Sequence, residues 1–158
     1  MSWTSWLLWG FVGTVVLTTV MSAVQAMRLS RMSLPYMLGT IFTPDRDRAK
    51  IVGFVAHLVN GWIFSLLYVA AFEATKTANV VFGAAIGLVH ALFVLTFGMS
   101  ALPALHPRMA GEERGPTVVR QLEPPGFLAS NYGGGTAASV VVAHLIFGAI
   151  LGGFYRVG

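Results

Sequence analysis

Four stretches of this chain, approximately 6–27, 51–72, 80–102 and 137–155, contain no Asp, Glu, Lys or Arg. Each is close to the roughly 20 helical residues needed to cross a hydrocarbon core of about 30 Å. Lipid offers no hydrogen-bond partner to the backbone, so each stretch has to satisfy its own N–H and C=O groups as a helix. The expected fold is therefore an all-α membrane protein: a single domain over 1–158, built as a four-transmembrane-helix bundle. Only 10% of the residues are charged and mean hydropathy is +0.74, against about 25% charged in a soluble domain. That composition excludes disorder and argues against a water-soluble enzyme. With no cysteine, disulfides, thiolate metal sites and a Cys nucleophile are excluded as well.

The charges predict the orientation. Arg28, Arg31, Arg46, Arg48 and Lys50 follow the first stretch, and Arg108, Arg114 and Arg120 follow the third, whereas the other side holds only Lys76 and Arg156. An eight-to-two split places both long loops in the cytoplasm and both termini outside. Arg28 and Arg31 come after the first apolar run, with no positive charge before it, which is the charge order of an anchor rather than of a signal peptide. Lys and Arg of both loops would also meet anionic lipid head groups.

The loops differ in kind. Pro35 and Pro44 bracket the apolar run 36–42, too short to span and so expected as an interfacial or re-entrant piece. The second loop, with HPRMAGEERGP (106–116), EPPGF (123–127) and NYGGG (131–135), is rich in Pro and Gly and favours turns, with one helical turn expected around Thr117–Leu122.

The second and fourth spans share a face. AHLVNGWIFSLLY (56–68) and AHLIFGAILGGFY (143–155) agree at Ala, His, Leu, Gly, Ile and Tyr with a constant offset of 87. His57, Gly61 and Tyr68 thus fall on one side of a helix, as do His144, Gly148 and Tyr155, because eleven residues make close to three turns. The third span carries Gly83, Gly87 and His90, and the fourth Gly148 and Gly152; such small-residue stripes let helix backbones approach closely in lipid. At about 1.5 Å per residue, His57, His144 and His90 lie roughly 9, 10 and 15 Å below the cytoplasmic boundary. Ionisable groups at that depth face the bundle interior, paired or hydrated. Three readings stay open for this histidine layer. The histidines are structural hydrogen-bonding residues, with Asn60 as partner of His57; or they bind haem or a transition metal; or they line a polar path with Asn60 and Tyr68 for protons or a small solute.

His106, Arg108, Glu112, Glu113, Arg114, Arg120 and Glu123 form the one dense polar group in a loop. A carboxylate with an imidazole can act as an acid/base pair, but no spacing matches a zincin, a phosphate loop or a nucleophile elbow. The simpler reading is mutual pairing and contact with lipid head groups.

On the motifs LGTIFTPDRDRAKIVGF (38–54), HLVNGWIFSLLY (57–68), HPRM with its following GP, EPPGF, NYG and HLIFGAILGGFY (144–155), the chain resembles a group of small four-helix membrane proteins seen mainly in actinobacteria. It is more faintly similar to the YagU-like inner-membrane proteins. That family has no established reaction, so the resemblance implies an architecture and an ordered HPRM–EPPGF loop rather than a chemistry. The function expected from the residues is a small homo-oligomeric bundle or an accessory subunit of a larger membrane complex, with no nucleic-acid partner. The alternatives are a His-ligated haem or metal redox subunit, and a small channel or carrier.

Overall fold

The computed structural model describes residues 1–111 and 113–158. It is all-helical, with four helices long and apolar enough to cross a membrane: α1 (Trp3–Ala26), α3 (Arg46–Thr75), α4 (Val80–Leu105) and α5 (Thr136–Phe154). A short helix, α2 (Leu34–Gly39), lies between the first two. The chain is a helical multi-pass membrane protein. Among the described residues the one β-like contact is the bridge between Met109 and Leu122.

Local chemistry sets the helix ends. The carboxylate of Asp45 accepts from Arg48 N–H at 2.8 Å and the side chain of Asn79 accepts from Phe82 N–H at 2.9 Å, each filling a donor that the first turn leaves unpaired. The Asp45 cap starts α3 five residues ahead of its apolar run, so the charged segment 46–50 is helical. Its 30 residues give a length of about 45 Å, enough to pass through hydrocarbon and both head-group layers. In α4 the α-helical ladder opens into a π-helical turn over Val94–Gly98. Pro103, which has no N–H to give, precedes its end at Leu105.

The helices pack in the spatial order α3, α1, α5, α4. The α4–α5 contact is the most extensive, and glycine makes it possible. A Cβ at Gly83 would strike the Gly148 carbonyl, one at Gly87 the His144 carbonyl, and one at Gly152 the Asn79 carbonyl. On the other side of the bundle α1 and α3 meet where Gly61 faces Thr14, and the Trp6 indole donates to Ser65 Oγ at 2.8 Å. The repeated face thus does the same work twice, with Gly61 against α1 and Gly148 against α4.

Helices α3 and α4 are consecutive in sequence, yet their backbones do not pack closely. Side chains alone bridge the gap: Phe64 against His90, with ring centroids 4.7 Å apart, and Phe72 against Phe82 at 5.7 Å. The interfacial segment expected at 36–42 is α2 and the turn after it. α2 lies against the first half of α3 so tightly that Gly53 meets the Pro35 carbonyl. The helical turn expected at Thr117–Leu122 is absent. Thr117 Oγ1 instead accepts from Val119 and Arg120 N–H in a non-helical turn, and Leu122 pairs its backbone with Arg108 and Ala110. Ordered turns do follow, at 127–132, where Leu128 and Ala129 take left-handed backbone angles.

Candidate functional site

His57 (α3), His90 (α4) and His144 (α5) all line one cavity of about 220 Å³, on the side of the bundle where α3 and α4 stand apart. Asn60 and Gly61 lie on the same wall, Thr14 and Met21 come from α1, and Met32 and Met37 close the end nearer α2.

Neighbouring groups fix where each imidazole carries its proton. The Thr18 hydroxyl donates to the Thr14 carbonyl at 2.7 Å, so its oxygen accepts from His57 Nδ1–H at 2.9 Å. His144 Nδ1 faces the Val140 carbonyl at 2.8 Å and can only donate. Both rings therefore present an unprotonated Nε2. The hydroxyl of Tyr68, a residue 1% exposed, lies 3.0 Å from His90 Nδ1 and has no other acceptor among the described residues. It donates to that nitrogen and moves the His90 proton to Nε2. None of the three Nε2 atoms has a partner among the described residues, yet no buried side-chain polar atom there lacks one. Each Nε2 thus keeps accessible surface, and the cavity these rings line is where a ligand could meet it. The rings of His90 and His144 meet edge-on with centroids 4.7 Å apart. In the neutral state the cavity wall offers two acceptors and one donor.

Size and geometry narrow what could fit. At about 30 Å³ per water, the cavity holds roughly seven water molecules, or an ion or small solute. It lies below the range of roughly 300–1,000 Å³ typical of sites for larger organic ligands, so a porphyrin has no room between these walls as they stand. Among the described residues no three His, Asp or Glu side chains are grouped to hold one metal ion. His90 could join His57 and His144 as a ligand only by giving up the proton on Nε2 and the bond from Tyr68.

Two residues depart from expectation. Asn60 is not the partner of His57: it sits at the exposed rim of the cavity without a side-chain hydrogen bond among the described residues, and Thr18 takes its place. The signal was present in α1, where Gly10, Thr14, Thr18 and Ser22 recur every four residues as a small polar stripe. Tyr155, the counterpart of Tyr68, does not reach the histidines. It donates to Glu73 Oε1 at 2.7 Å, and Glu73 also receives Lys76 Nζ at 3.3 Å and the Gly158 N–H at 3.0 Å. This closes the end of the bundle carrying both termini. Among the described residues Glu73 is the only acidic one there, which could have marked it.

The loop cluster does not converge. His106, 2% exposed, donates from Nε2 to the Met37 carbonyl at 2.9 Å and accepts Arg108 N–H at Nδ1. The Arg108 guanidinium bonds the carbonyls of Thr40 and Ile41, so a cation caps the C-terminal end of α2. HPRM is a clamp on α2. Burial holds the His106 imidazole below its ordinary value. Glu123 pairs with Arg31 at 3.2 Å, and its backbone carbonyl accepts the Tyr132 hydroxyl, which burial pushes up to about 12. Arg120 bonds the Gly115 carbonyl, while Glu113 and Arg114 line a separate cleft of about 620 Å³. Glu112 lies outside the described residues. Among the described residues the imidazole and carboxylates face different ways, and no acid/base pair is assembled. Set against protein-family models, the curated proteins and the solved structures, the chain matches none of them.

Proposed function

We propose that this chain is a non-enzymatic membrane protein, a small oligomeric bundle or an accessory subunit of a larger membrane complex, that holds a small polar ligand in its histidine-lined cavity. The observation that carries the reading is the set of three Nε2 atoms, two accepting and one donating, around about 220 Å³. A bundle needing only structural histidines would bond those nitrogens to its own groups, because unpartnered polar atoms within a membrane are costly. Oligomeric or subunit assembly is supported by Asn60, an exposed amide in mid-span that a helix of another chain could satisfy. The eight-to-two charge split supports the Arg46 and Arg108 loops in the cytoplasm and both termini outside, and the resemblance to inner-membrane proteins supports a bacterial inner membrane. The ordered HPRM clamp agrees with the resemblance to the actinobacterial four-helix family.

A soft transition-metal ion is the second reading. It is favoured by the lone pairs of His57 and His144 and by the thioethers of Met21, Met32, Met37 and Met99 on the same walls, ligands that suit ions such as copper(I). One experiment separates the readings: native mass spectrometry and metal analysis of the protein extracted in mild detergent, alongside His57→Leu and His144→Leu. The small-ligand reading expects a retained non-metal mass that is lost in both variants while the oligomer persists. A stoichiometric metal lost in both variants would select the metal instead. Parent protein free of any retained species, with histidine variants that match it in stability and stoichiometry, would refute both.

A further inference from the structure

We infer that a second cleft, between α1, α2 and the start of α3, binds the phosphate group of an anionic phospholipid. It rests on the bundle crossing a bilayer and is independent of the histidine cavity. The cleft measures about 830 Å³, within the size range of small-molecule sites. Arg31, Arg46 and Lys50 contribute to its wall, and among the described residues no carboxylate does.

The cations differ in how far they are already neutralised. Arg31 is engaged by Glu123 and the Asn131 carbonyl, and Lys50 reaches Asp47 only at 3.6 Å, between two exposed side chains. Arg46 makes no ion pair among the described residues. Its guanidinium is held 5.8 Å from the centroid of the Tyr36 ring, which also lines the cleft. A guanidinium in a polar concavity, without a counter-ion, is suited to bidentate pairing with phosphate. The hydroxyls of Ser33 and Tyr36 have no acceptor among the described residues and stand ready as further donors. Thr19 and Ser22 donate along their own helix and keep lone pairs for a head-group hydroxyl.

Position on α3 selects a lipid over a free anion. Arg46, Lys50 and Phe54 follow one another at intervals of one turn on a single face, so the stripe runs about 12 Å from the helix start. Arg46 therefore lies at head-group level, and the exposed ring of Phe54 lies where acyl chains begin. A phosphate joined to acyl chains satisfies both ends of the stripe, whereas inorganic phosphate uses only one.

The test titrates the detergent-purified protein with phosphatidylglycerol and with phosphatidylcholine of the same acyl chains, reading bound lipid by native mass spectrometry. Phosphatidylglycerol should bind more tightly. Arg46→Gln with Lys50→Gln should weaken it about thirtyfold, about fivefold for each cation at a membrane surface. Phosphatidylcholine binding and the unfolding temperature should not change. Arg48→Gln, which removes a neighbouring cation outside the cleft, should leave phosphatidylglycerol binding intact. If the double variant does not fold, either single substitution should still show its fivefold loss. Equal affinity for the two lipids, or charge-removed variants that bind as the parent does, overturns the inference. Displacement of the lipid by an equal concentration of inorganic phosphate overturns the choice of a lipid.

Discussion

Replacing Gly148 by Ala adds one methyl group and sets two effects of opposite sign against each other. In a helix interior Ala is favoured over Gly by about 0.5–1 kcal/mol. At Gly148, however, the new Cβ would enter the Gly83 carbonyl group, with the carbonyl carbon 2.8 Å away and Gly87 Cα at 3.2 Å. Both obstacles are backbone, so no rotamer change relieves them. Carbon atoms prefer separations of about 3.5–4.0 Å, so α4 and α5 must part by at least about 0.7 Å, which forfeits between a quarter and a half of the dispersion attraction across the gap. For an interface with on the order of 50 atom contacts at about 0.15 kcal/mol each, that loss is about 2–4 kcal/mol. Lipid gives no hydrophobic compensation between helices. The net expectation is a destabilisation of about 1–3 kcal/mol once the helix preference for Ala is subtracted. Gly98→Ala is the matched control. Its Cβ would meet nothing nearer than Val94 Cγ1 at 3.9 Å, so it should be neutral or slightly stabilising. Reversible unfolding in mixed micelles, followed by circular dichroism, measures both. A Gly148→Ala protein as stable as the parent would show that α4 and α5 do not depend on this close approach.

Other outcomes follow from the same structure. Single cysteines at Ser2, Thr43, Thr75 and Thr117, introduced into a chain that has none, should react with an impermeant reagent in intact cells at positions 2 and 75 only; labelling at 43 or 117 would reverse the orientation. Tyr68→Phe deletes the donor to His90 Nδ1 and should cost about 1–2 kcal/mol, the upper range for interhelical hydrogen bonds in membranes, seen as a lower micellar unfolding midpoint. Because burial lowers the His106 pKa, the folded state favours its neutral form. The His106 contribution is complete above the unfolded value of about 6.5 and is lost as pH falls below it. Protease resistance of the 106–126 loop should therefore decline between about pH 7 and pH 5, and His106→Gln should flatten that decline.

Helix existence was legible because the solvent imposes it: charge-free runs of about twenty residues have one backbone solution in lipid. Gly83, Gly87, Gly148 and Gly152 were legible as a packing stripe, since close approach leaves small residues at helical spacing. Meeting of the three histidines at a common depth could be counted from helix rise alone. Lateral partners could not be counted that way. Thr18 rather than Asn60 receives His57, because which neighbour a helix face meets depends on rotation about the helix axis, and a single sequence does not encode that locally. Glu73 as the receiver of Tyr155, and His106 with Arg108 as the clamp on α2, join residues about 70–80 positions apart. The loop cluster looked dense along the chain and dispersed in space for the same reason.

The π-helical turn in α4 changes what a one-residue change in chain length would do. Buried positions along this helix are Gly83, Gly87, Ala91, Leu95 and Met99, a strict interval of four. In a uniform α-helix each such step overshoots a full turn by about 40°, and by Met99 the accumulated drift would carry the side chain to the opposite side. A turn that closes i to i+5 hydrogen bonds takes up that excess, as though one residue had been spliced into an ordinary helix. Losing a residue from Val94–Gly98 would let the backbone close as regular α-helix with everything beyond nearly in place, whereas losing one from the regular stretch Val80–Phe93 would turn all that follows by about 100° and draw it back by about 1.5 Å. His106 and Arg108 would then be delivered past the wrong side of α2. The turn acts as a phase corrector: it sets the angle at which the third span hands the chain over to its loop, and it makes this short stretch the place where one residue of chain length could be given up with least change to that angle.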